Sequence, residues 1–267
     1  MMRTRDYAAE FAGTFLLLLI GLSAVVVDFA HGSPIHRWIP DQNVRRLVTG
    51  LVFAGGATAI VYSPLGKTSG GHINPAVTLA FLRLRKISGR SAAWYVVAQF
   101  AGALVGAIAI RLLWGRLATD VDLGATIPGR GGPAVSLGVE LAMTFLLVTL
   151  ILRFVDEPRL QRFTPAAAGA LVAFLVFVEA PLSGTSLNPA RSLGPAVIAP
   201  DYAGFWVYLL APPLGALLAV ALYRRSRGTV RCGKLIHSDH YECRFLDCEY
   251  TPPERRVRSA DHARNAA

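Results

Sequence analysis

The sequence contains few cysteines, and all three stand near the C-terminus. Cys232, Cys243 and Cys248 follow the last long apolar stretch, so no disulfide framework holds the preceding residues together. Cysteines that remain thiols are typical of a reducing compartment, and we expect the C-terminal segment to face the cytosol. The small secreted folds that depend on disulfides are therefore excluded.

Charged residues are also scarce, at 16% of the chain, whereas 53% of the residues are hydrophobic. Acidic residues are fewer than basic residues, 17 against 27, and the formal net charge is +10. A basic balance is compatible with nucleic-acid binding, but the Arg and Lys residues fall in loops and in the tail, where membrane topology accounts for them. We therefore expect no nucleic-acid partner. Motifs that would assemble a nucleophile, a base and an orienting group are missing too, so we expect no enzyme and no cofactor.

Long apolar stretches dominate the remainder of the 267 residues. A bilayer-spanning helix needs roughly 20 apolar residues, and six stretches approach or meet that length. The sequence therefore predicts a polytopic membrane protein of the all-α class. The six predicted spans are residues 7–29, 44–63, 92–114, 135–155, 164–182 and 203–223.

Two Asn-Pro-Ala tripeptides interrupt this pattern and predict two further, short helices. Each follows a Gly/Ser-rich stretch and opens an apolar run that is too short to cross a bilayer. Asn is a strong N-cap and Pro suits the first helical turn, so each tripeptide is a helix start. Paired short helices in the two halves of a membrane protein indicate a transport site near the midplane. The boxes are Asn74, Pro75 and Ala76, and Asn188, Pro189 and Ala190.

The two halves of the chain resemble each other, which predicts an inverted repeat. Residues 10–17 (EFAGTFLL) match residues 140–147 (ELAMTFLL), and each half has three spans and one short helix. An odd number of spans per half inserts the second half upside down, so the two short helices enter from opposite faces. We predict a channel domain over residues 1–223, with repeats at about 7–114 and 135–223, followed by a tail over 224–267.

The distribution of basic residues predicts the orientation of the chain. Loops on the side of the N-terminus carry most of the Arg and Lys, and such loops are usually cytoplasmic. We therefore expect an integral protein of the plasma or inner membrane with both termini in the cytoplasm.

The two boxes, the six spans and the repeat together resemble the aquaporin and glycerol-facilitator superfamily. The resemblance covers about residues 7–223 and rests on SGGHINPAVT and LSGTSLNPARSLGPA. It implies an aquaporin-like bundle with one pore per subunit, usually a homotetramer, that conducts water or small neutral solutes and excludes protons and ions. Asn74 and Asn188 would donate hydrogen bonds to a passing oxygen. The irregular segments before the boxes would present backbone carbonyls to the pore, from Gly70, Gly71, His72, Gly184 and Ser186.

The family resemblance also implies a selectivity filter made of four residues. Thr185 and Arg191 flank the second box by three residues on either side. Counting along the fifth and second spans assigns Val176 and Phe53, with Ala54 as the ungapped alternative to Phe53. This set lacks the His of water-selective members and the Trp of glycerol facilitators. We therefore expect a pore for water and for somewhat larger neutral solutes such as glycerol, urea or undissociated metalloid acids; a solute facilitator with little water flux is the alternative.

Four titratable residues near the predicted pore allow more than one interpretation. Glu10 and Glu140 occupy equivalent positions in the repeats, and we favour structural anchors for the half-helix loops over a proton relay. Glu179 either lines the outer mouth and orients Arg191, or faces lipid headgroups. His72 is a wall residue or a pH-sensitive gate.

The tail contains a loose cluster of metal-ligating residue types without a Cys-x2-Cys pair. The sequence favours a reduced or disordered tail, with metal binding as the weaker hypothesis. The candidates are Cys232, His237, His240, Cys243 and Cys248. An ion-coupled secondary transporter, which also uses broken helices, remains the alternative from another class. It would need a membrane-embedded acid on the pore axis, for which Glu10, Glu140 and Glu179 are the candidates.

Overall fold

A computed structural model describes residues 2–200 and 202–250, and all regular structure in these ranges is helical. Two short 3-10 turns, Asp122–Gly124 and Gln161–Phe163, lie between the helices. The helices are α1 (Thr4–Phe29), α2 (Pro34–Trp38), α3 (Gln42–Tyr62), α4 (Pro64–Ser69), α5 (Pro75–Arg83), α6 (Gly89–Trp114), α7 (Arg116–Asp120), α8 (Gly132–Asp156), α9 (Thr164–Ser183), α10 (Pro189–Ile198) and α11 (Phe205–Arg227).

The six helices α1, α3, α6, α8, α9 and α11 are long and apolar enough to cross a membrane. The predicted all-α membrane fold with six spans is therefore confirmed. Several helices begin about three residues before the predicted span because their first turns are polar, and a hydropathy pattern does not register polar turns. At α6, for example, the Ser88 hydroxyl accepts the Ser91 N–H at 3.3 Å and caps the helix ahead of its apolar part.

The two short helices α5 and α10 begin at the Pro of each Asn-Pro-Ala box. The Asn74 side-chain oxygen accepts the Ala76 N–H at 2.8 Å, and the Asn188 oxygen accepts the Ala190 N–H at 3.0 Å. Each Asn is therefore the N-cap that the sequence predicts. With nine and ten residues, these helices are only about 14–15 Å long, begin at buried residues and are too short to cross a bilayer.

The long helices pack in pairs that repeat between the two halves. Helix α1 lies against α6, and α8 lies against α11 in the same manner. Glycine makes both crossings close, because a Cβ added to Gly102 would lie 2.3 Å from the Phe11 carbonyl oxygen. At the equivalent crossing, a Cβ on Gly215 would lie 2.4 Å from the Leu141 oxygen. Such small-residue contacts are typical of helices that associate in membranes.

The segment after α11 folds back onto the bundle, so the prediction of a disordered tail is wrong for residues 228–250. We call these residues the tail cap. Its members Cys232 and Lys234 are fully buried, and its backbone binds the channel, as in the 2.9 Å bond from the Leu235 N–H to the Gly70 carbonyl. Sequence patterning missed this packing because the contacts are irregular and join residues far apart in the chain. Residues 251–267 of the predicted tail lie outside the described residues.

Candidate functional site

An elongated cavity of about 510 Å³ runs through the bundle and contacts both Asn-Pro-Ala boxes. Asn74 and Asn188 line its middle, and Arg191 lines it toward the end formed by Gln42 and Arg130, which we call the filter end. Leu235 of the tail cap lines the opposite end, which we call the tail end. The wall is mostly apolar, so the few polar groups on it determine where a solute can bind.

The two boxes meet through reciprocal hydrogen bonds between their asparagine side chains and the opposite backbone. The Asn74 amide donates to the Leu187 carbonyl at 2.9 Å, and the Asn188 amide donates to the Ile73 carbonyl at 2.9 Å. The oxygen of each asparagine amide thus caps the helix that follows it, and the nitrogen of the same amide binds a backbone carbonyl of the other half of the chain. An amide nitrogen carries two protons, so each asparagine retains one further donor.

The residue before each asparagine adopts a left-handed backbone conformation, with φ of 41° at Ile73 and 53° at Leu187. This conformation costs free energy for residues other than glycine, of order 1–3 kcal/mol, and for a β-branched residue it is especially unusual. It occurs at equivalent positions in both repeats, at the residues whose carbonyls accept the bonds from the opposite asparagines. Part of the backbone strain of the protein therefore lies at the meeting point of the two boxes.

The segments predicted to present carbonyls are partly placed as expected. Gly71, His72, Gly184 and Ser186 line the cavity. Gly70 does not line it. Its φ of 93° closes the C-terminus of α4, and its carbonyl accepts the Leu235 N–H of the tail cap. The prediction for Gly70 is therefore corrected: the tail cap occupies the acceptor that the sequence assigned to the pore.

The four predicted filter residues all line the filter half of the cavity. The Arg191 guanidinium donates to the Gly124 carbonyl at 2.8 Å, and its central carbon lies 5.6 Å from the centroid of the Phe53 ring. Ala54 lines the cavity as well but is almost fully buried, so it is the Phe53 ring that faces Arg191. Val176 packs beside Gly50, where an added Cβ would lie 3.2 Å from the Val176 Cβ.

Sequence reasoning missed the groups that position Arg191 and the second box. Gly124 lies in the 3-10 turn before α8, far from Arg191 in sequence, and contributes only a backbone carbonyl. Behind the box, the hydroxyls of Thr126, Ser192 and Ser186 form a chain, with 2.6 Å between the first pair and 2.5 Å between the second. The sequence indicates Ser186 only for its backbone carbonyl, and neither the hydroxyl chain nor the Gly124 carbonyl has a spacing motif that would point to it.

Glu10 and Glu140 hold the loops before the two boxes in the same way. Glu10 accepts the backbone N–H groups of His72 and Ile73 at 3.0 and 2.7 Å. Glu140 accepts the equivalent groups of Ser186 and Leu187 at 2.7 and 2.8 Å. Both carboxyl groups are fully buried and lie off the cavity wall. This is the geometry of a structural anchor.

Each anchor is extended by a serine and a tyrosine at equivalent positions of the two repeats. Ser69 and Ser183 donate to Glu10 and Glu140 at 2.6 and 2.7 Å, respectively. The Tyr95 hydroxyl donates to the Ser69 carbonyl at 2.8 Å, and the Tyr208 hydroxyl donates to the Ser183 carbonyl at 2.6 Å. The repeat therefore extends to the buried polar contacts that fix the loops.

Glu179 occupies neither of the two positions that the sequence suggests, the outer mouth of the pore or the lipid headgroups. It is 6% exposed, so it does not face headgroups, and it is not part of the cavity wall. One of its carboxyl oxygens lies 2.9 Å from the Ser183 hydroxyl, next to the Glu140 anchor. The proposal that Glu179 lines the outer mouth is therefore corrected, since the side chain turns back toward the loop.

His72 lines the cavity but is closely packed by the tail cap. Its ring nitrogens lie 2.9 Å from the Gly233 carbonyl and 3.2 Å from the Thr78 hydroxyl. The ring stacks on Phe81 at a centroid distance of 4.8 Å and contacts Phe245 of the tail cap at 5.4 Å. The side chain thus connects the first box to the tail cap.

Comparisons with known proteins agree with this geometry. The sequence profile of the family described as "Major intrinsic protein" matches residues 1–223. The chain is 38% identical to "Glycerol uptake facilitator protein-like 6" of Lactiplantibacillus plantarum, over 80% of this chain and 94% of that protein. It is 36% identical to "Aquaporin NIP1-4" of Oryza sativa, over 83% of this chain and 76% of that protein. Its fold is similar to the aquaglyceroporin of Plasmodium falciparum, with a TM-score of 0.67 at 22% identity, over 83% and 96% of the two chains.

Proposed function

Because the chain belongs to the major intrinsic protein family, we propose that it conducts water and small uncharged solutes of the glycerol, urea or undissociated metalloid-acid type and excludes ions and protons. The observation that carries this proposal is the reciprocal contact of the two asparagines in the middle of a continuous cavity. Members of this family are passive channels, not enzymes.

The meeting boxes support exclusion of cations. The N-termini of α5 and α10 converge at the middle of the cavity, and each carries the equivalent of about half a positive charge. The free amide protons of Asn74 and Asn188 donate to the oxygen of a passing water or alcohol. An oxygen held by two donors does not readily accept a proton from its neighbour, so a proton wire through the water file is interrupted.

The filter residues support passage of solutes that combine hydroxyl groups with an apolar backbone. Phe53 and Val176 present apolar surface, whereas Arg191 presents a fixed charge with donors beyond the one used by Gly124. A polyol can place its carbons against the ring and its hydroxyls against the guanidinium. A solute facilitator with little water flux would use the same contacts. The ratio of water flux to solute flux therefore distinguishes such a facilitator from a channel that conducts both.

The positions of the acidic residues disfavour an ion-coupled carrier. Such a transporter needs an acid on the solute path, yet the described wall of the cavity includes none of Glu10, Glu140 and Glu179. All three carboxyl groups are instead hydrogen-bonded within the protein.

We further propose the location and assembly that the sequence predicts. The concentration of basic residues on the side of the termini supports cytoplasmic termini in a plasma or inner membrane. Exposed apolar side chains on the outer faces of α6, α9 and α11, such as Leu112, Phe174 and Leu214, suit contact with lipid or with neighbouring subunits of a homotetramer.

The test is stopped-flow light scattering on proteoliposomes that contain the purified protein. Water, glycerol and urea gradients should each dissipate faster than in empty vesicles, and the rates should not depend on a pH gradient. Solute uptake that requires a proton gradient would instead identify a coupled carrier. Glycerol uptake without accelerated water flow would identify the protein as a solute facilitator with little water flux.

A further inference from the structure

Four metal-ligating side chains of the tail cap converge on one point. The donor atoms of Cys232, His237, Cys243 and Cys248 all lie within 4.8 Å of one another. The Cys232 sulfur lies 3.1 Å from the sulfur of Cys248 and 3.6 Å from that of Cys243. The Nδ1 atom of His237 lies 3.8 Å from the Cys232 sulfur and 3.7 Å from the Cys248 sulfur. His240, the fifth candidate from the sequence, is exposed and lies outside the cluster.

Three of these distances, at 3.6, 3.7 and 3.8 Å, match the edges of a tetrahedron of the size that zinc requires, and the 3.1 Å between the Cys232 and Cys248 sulfurs is shorter than such an edge. Zinc binds sulfur at about 2.3 Å and imidazole nitrogen at about 2.0–2.1 Å, which sets ligand–ligand distances of about 3.5–3.8 Å. Three thiolates and one imidazole form an established structural zinc set, and soft sulfur ligands disfavour magnesium or calcium. We propose that the tail cap binds one Zn²⁺ ion through the sulfurs of Cys232, Cys243 and Cys248 and through Nδ1 of His237.

The surroundings of the cluster suit a bound cation held by thiolates. Nε2 of His237, the ring nitrogen that is not part of the cluster, lies 3.7 Å from the exposed carboxylate of Asp239. The Lys234 N–H donates to the Cys232 sulfur at 3.4 Å. Zinc binds cysteine as thiolate, so the three thiols release their protons to water as the ion binds. No electron transfer is involved.

The site lies within a segment that lines the tail end of the cavity through Leu235. Gly233 and Leu235, which lie one and three residues after the ligand Cys232, bind His72 and Gly70, respectively, of the loop before the first box. On the other side of the cluster, Arg244 forms a buried ion pair with Asp6 of α1, at 3.0 Å. The tail cap has no regular secondary structure of its own, so a bound ion would fix the positions of these contacts.

The test measures metal in the full-length protein purified in detergent without chelators. Elemental analysis should find about one zinc per chain, and Cys243→Ser and Cys248→Ser should lose most of it. His240→Ala is the matched control, since it removes an imidazole from the tail cap outside the cluster and should retain the zinc. In chelator-treated wild-type protein, added Co²⁺ should produce the visible absorption bands of a tetrahedral thiolate complex, and added Zn²⁺ should abolish them.

Two results would overturn the proposal. One is wild-type protein without zinc that also gives no tetrahedral Co²⁺ spectrum, a measurement that does not depend on the folding of any variant. The other is mass-spectrometric detection of a Cys232–Cys248 disulfide in protein prepared under non-oxidising conditions, since oxidised sulfurs are not available as ligands. Neither result depends on solute conduction, so the proposed zinc site and the proposed channel function are tested independently of each other.

Discussion

The Arg191 guanidinium lies over the Phe53 ring, 5.6 Å from its centroid, at the filter end of the cavity. The two residues come from different repeats, with Phe53 on α3 and Arg191 on α10. The pair thus combines a fixed positive charge with a large apolar surface at one level of the cavity. Charge and size selection at this level are therefore separable by mutation.

Replacement of Arg191 by valine should make the cavity permeable to cations. The change removes the only charged member of the proposed filter and the donor to Gly124. A fixed positive charge repels a cation about 4 Å away by about 4 kcal/mol at an effective dielectric constant of about 20, and about 1.4 kcal/mol of barrier corresponds to about tenfold in rate, so cation leak should rise about tenfold or more. Dye-based cation flux in proteoliposomes measures this. Arg111→Val, at an exposed position of α6, is the control, and equal leak in both variants would contradict the assignment.

Replacement of Phe53 by alanine should widen the filter and leave its charge unchanged. Uptake of a four-carbon polyol should rise several-fold relative to glycerol, because the ring that limits the solute cross-section is lost. Light scattering with the two polyols gives this ratio directly. Phe174→Ala makes the same chemical change on an exposed face of α9 and should leave the ratio unchanged. If Phe53→Ala also leaves it unchanged, Phe53 does not limit solute size.

Replacement of Gly102 by alanine should destabilise the bundle. The added methyl group would meet the Phe11 carbonyl at 2.3 Å, and such overpacking typically costs about 1–3 kcal/mol. A lower melting temperature of the purified protein is expected. Gly138→Ala on α8 is the control because an added Cβ there meets nothing within 4 Å, and alanine favours a helix by roughly 1 kcal/mol over glycine. Equal melting temperatures for Gly102→Ala and the wild type would contradict the proposed close packing.

Replacement of Glu10 by glutamine should impair folding rather than proton coupling. The two carboxyl oxygens accept bonds from Ser69, His72, Ile73 and Gln99. Glutamine offers one acceptor and brings two donors, so buried N–H groups lose their partner, at about 1–3 kcal/mol each. We expect less folded protein on size-exclusion chromatography and an unchanged pH profile of flux per folded channel. A changed pH profile with normal folding would support a proton relay.

The sequence was sufficient for those features whose causes are local. Asn74 and Asn188 start helices through capping bonds within two residues, and the six spans follow from hydropathy. Phe53 and Val176 could be assigned by counting from fixed motifs. Gly124 could not, because a carbonyl in an irregular turn carries no residue-type signal.

The tail cap was mispredicted for a related physical reason. Irregular backbone has no periodicity, so its burial depends on contacts with distant residues, such as Arg244 with Asp6. The ligand spacing also gave a weak signal, because Cys243 and Cys248 are separated by four residues and His237 lies between the outer cysteines. Only the fold shows that these four side chains share one centre.

Removal of zinc should increase flux through the channel, given both the proposed site and the proposed function. Leu235 lines the tail end of the cavity, and Gly233, two residues before it, binds His72, so a loosened tail cap would withdraw the Leu235 side chain from the solute path. A chelator added to wild-type proteoliposomes should raise water flux, and restored Zn²⁺ should lower it again. Cys243→Ser should show raised flux without chelator and no further response, whereas His240→Ala should behave as the wild type. If zinc binds but flux is the same in all four cases, the ion stabilises the tail cap without controlling the pore.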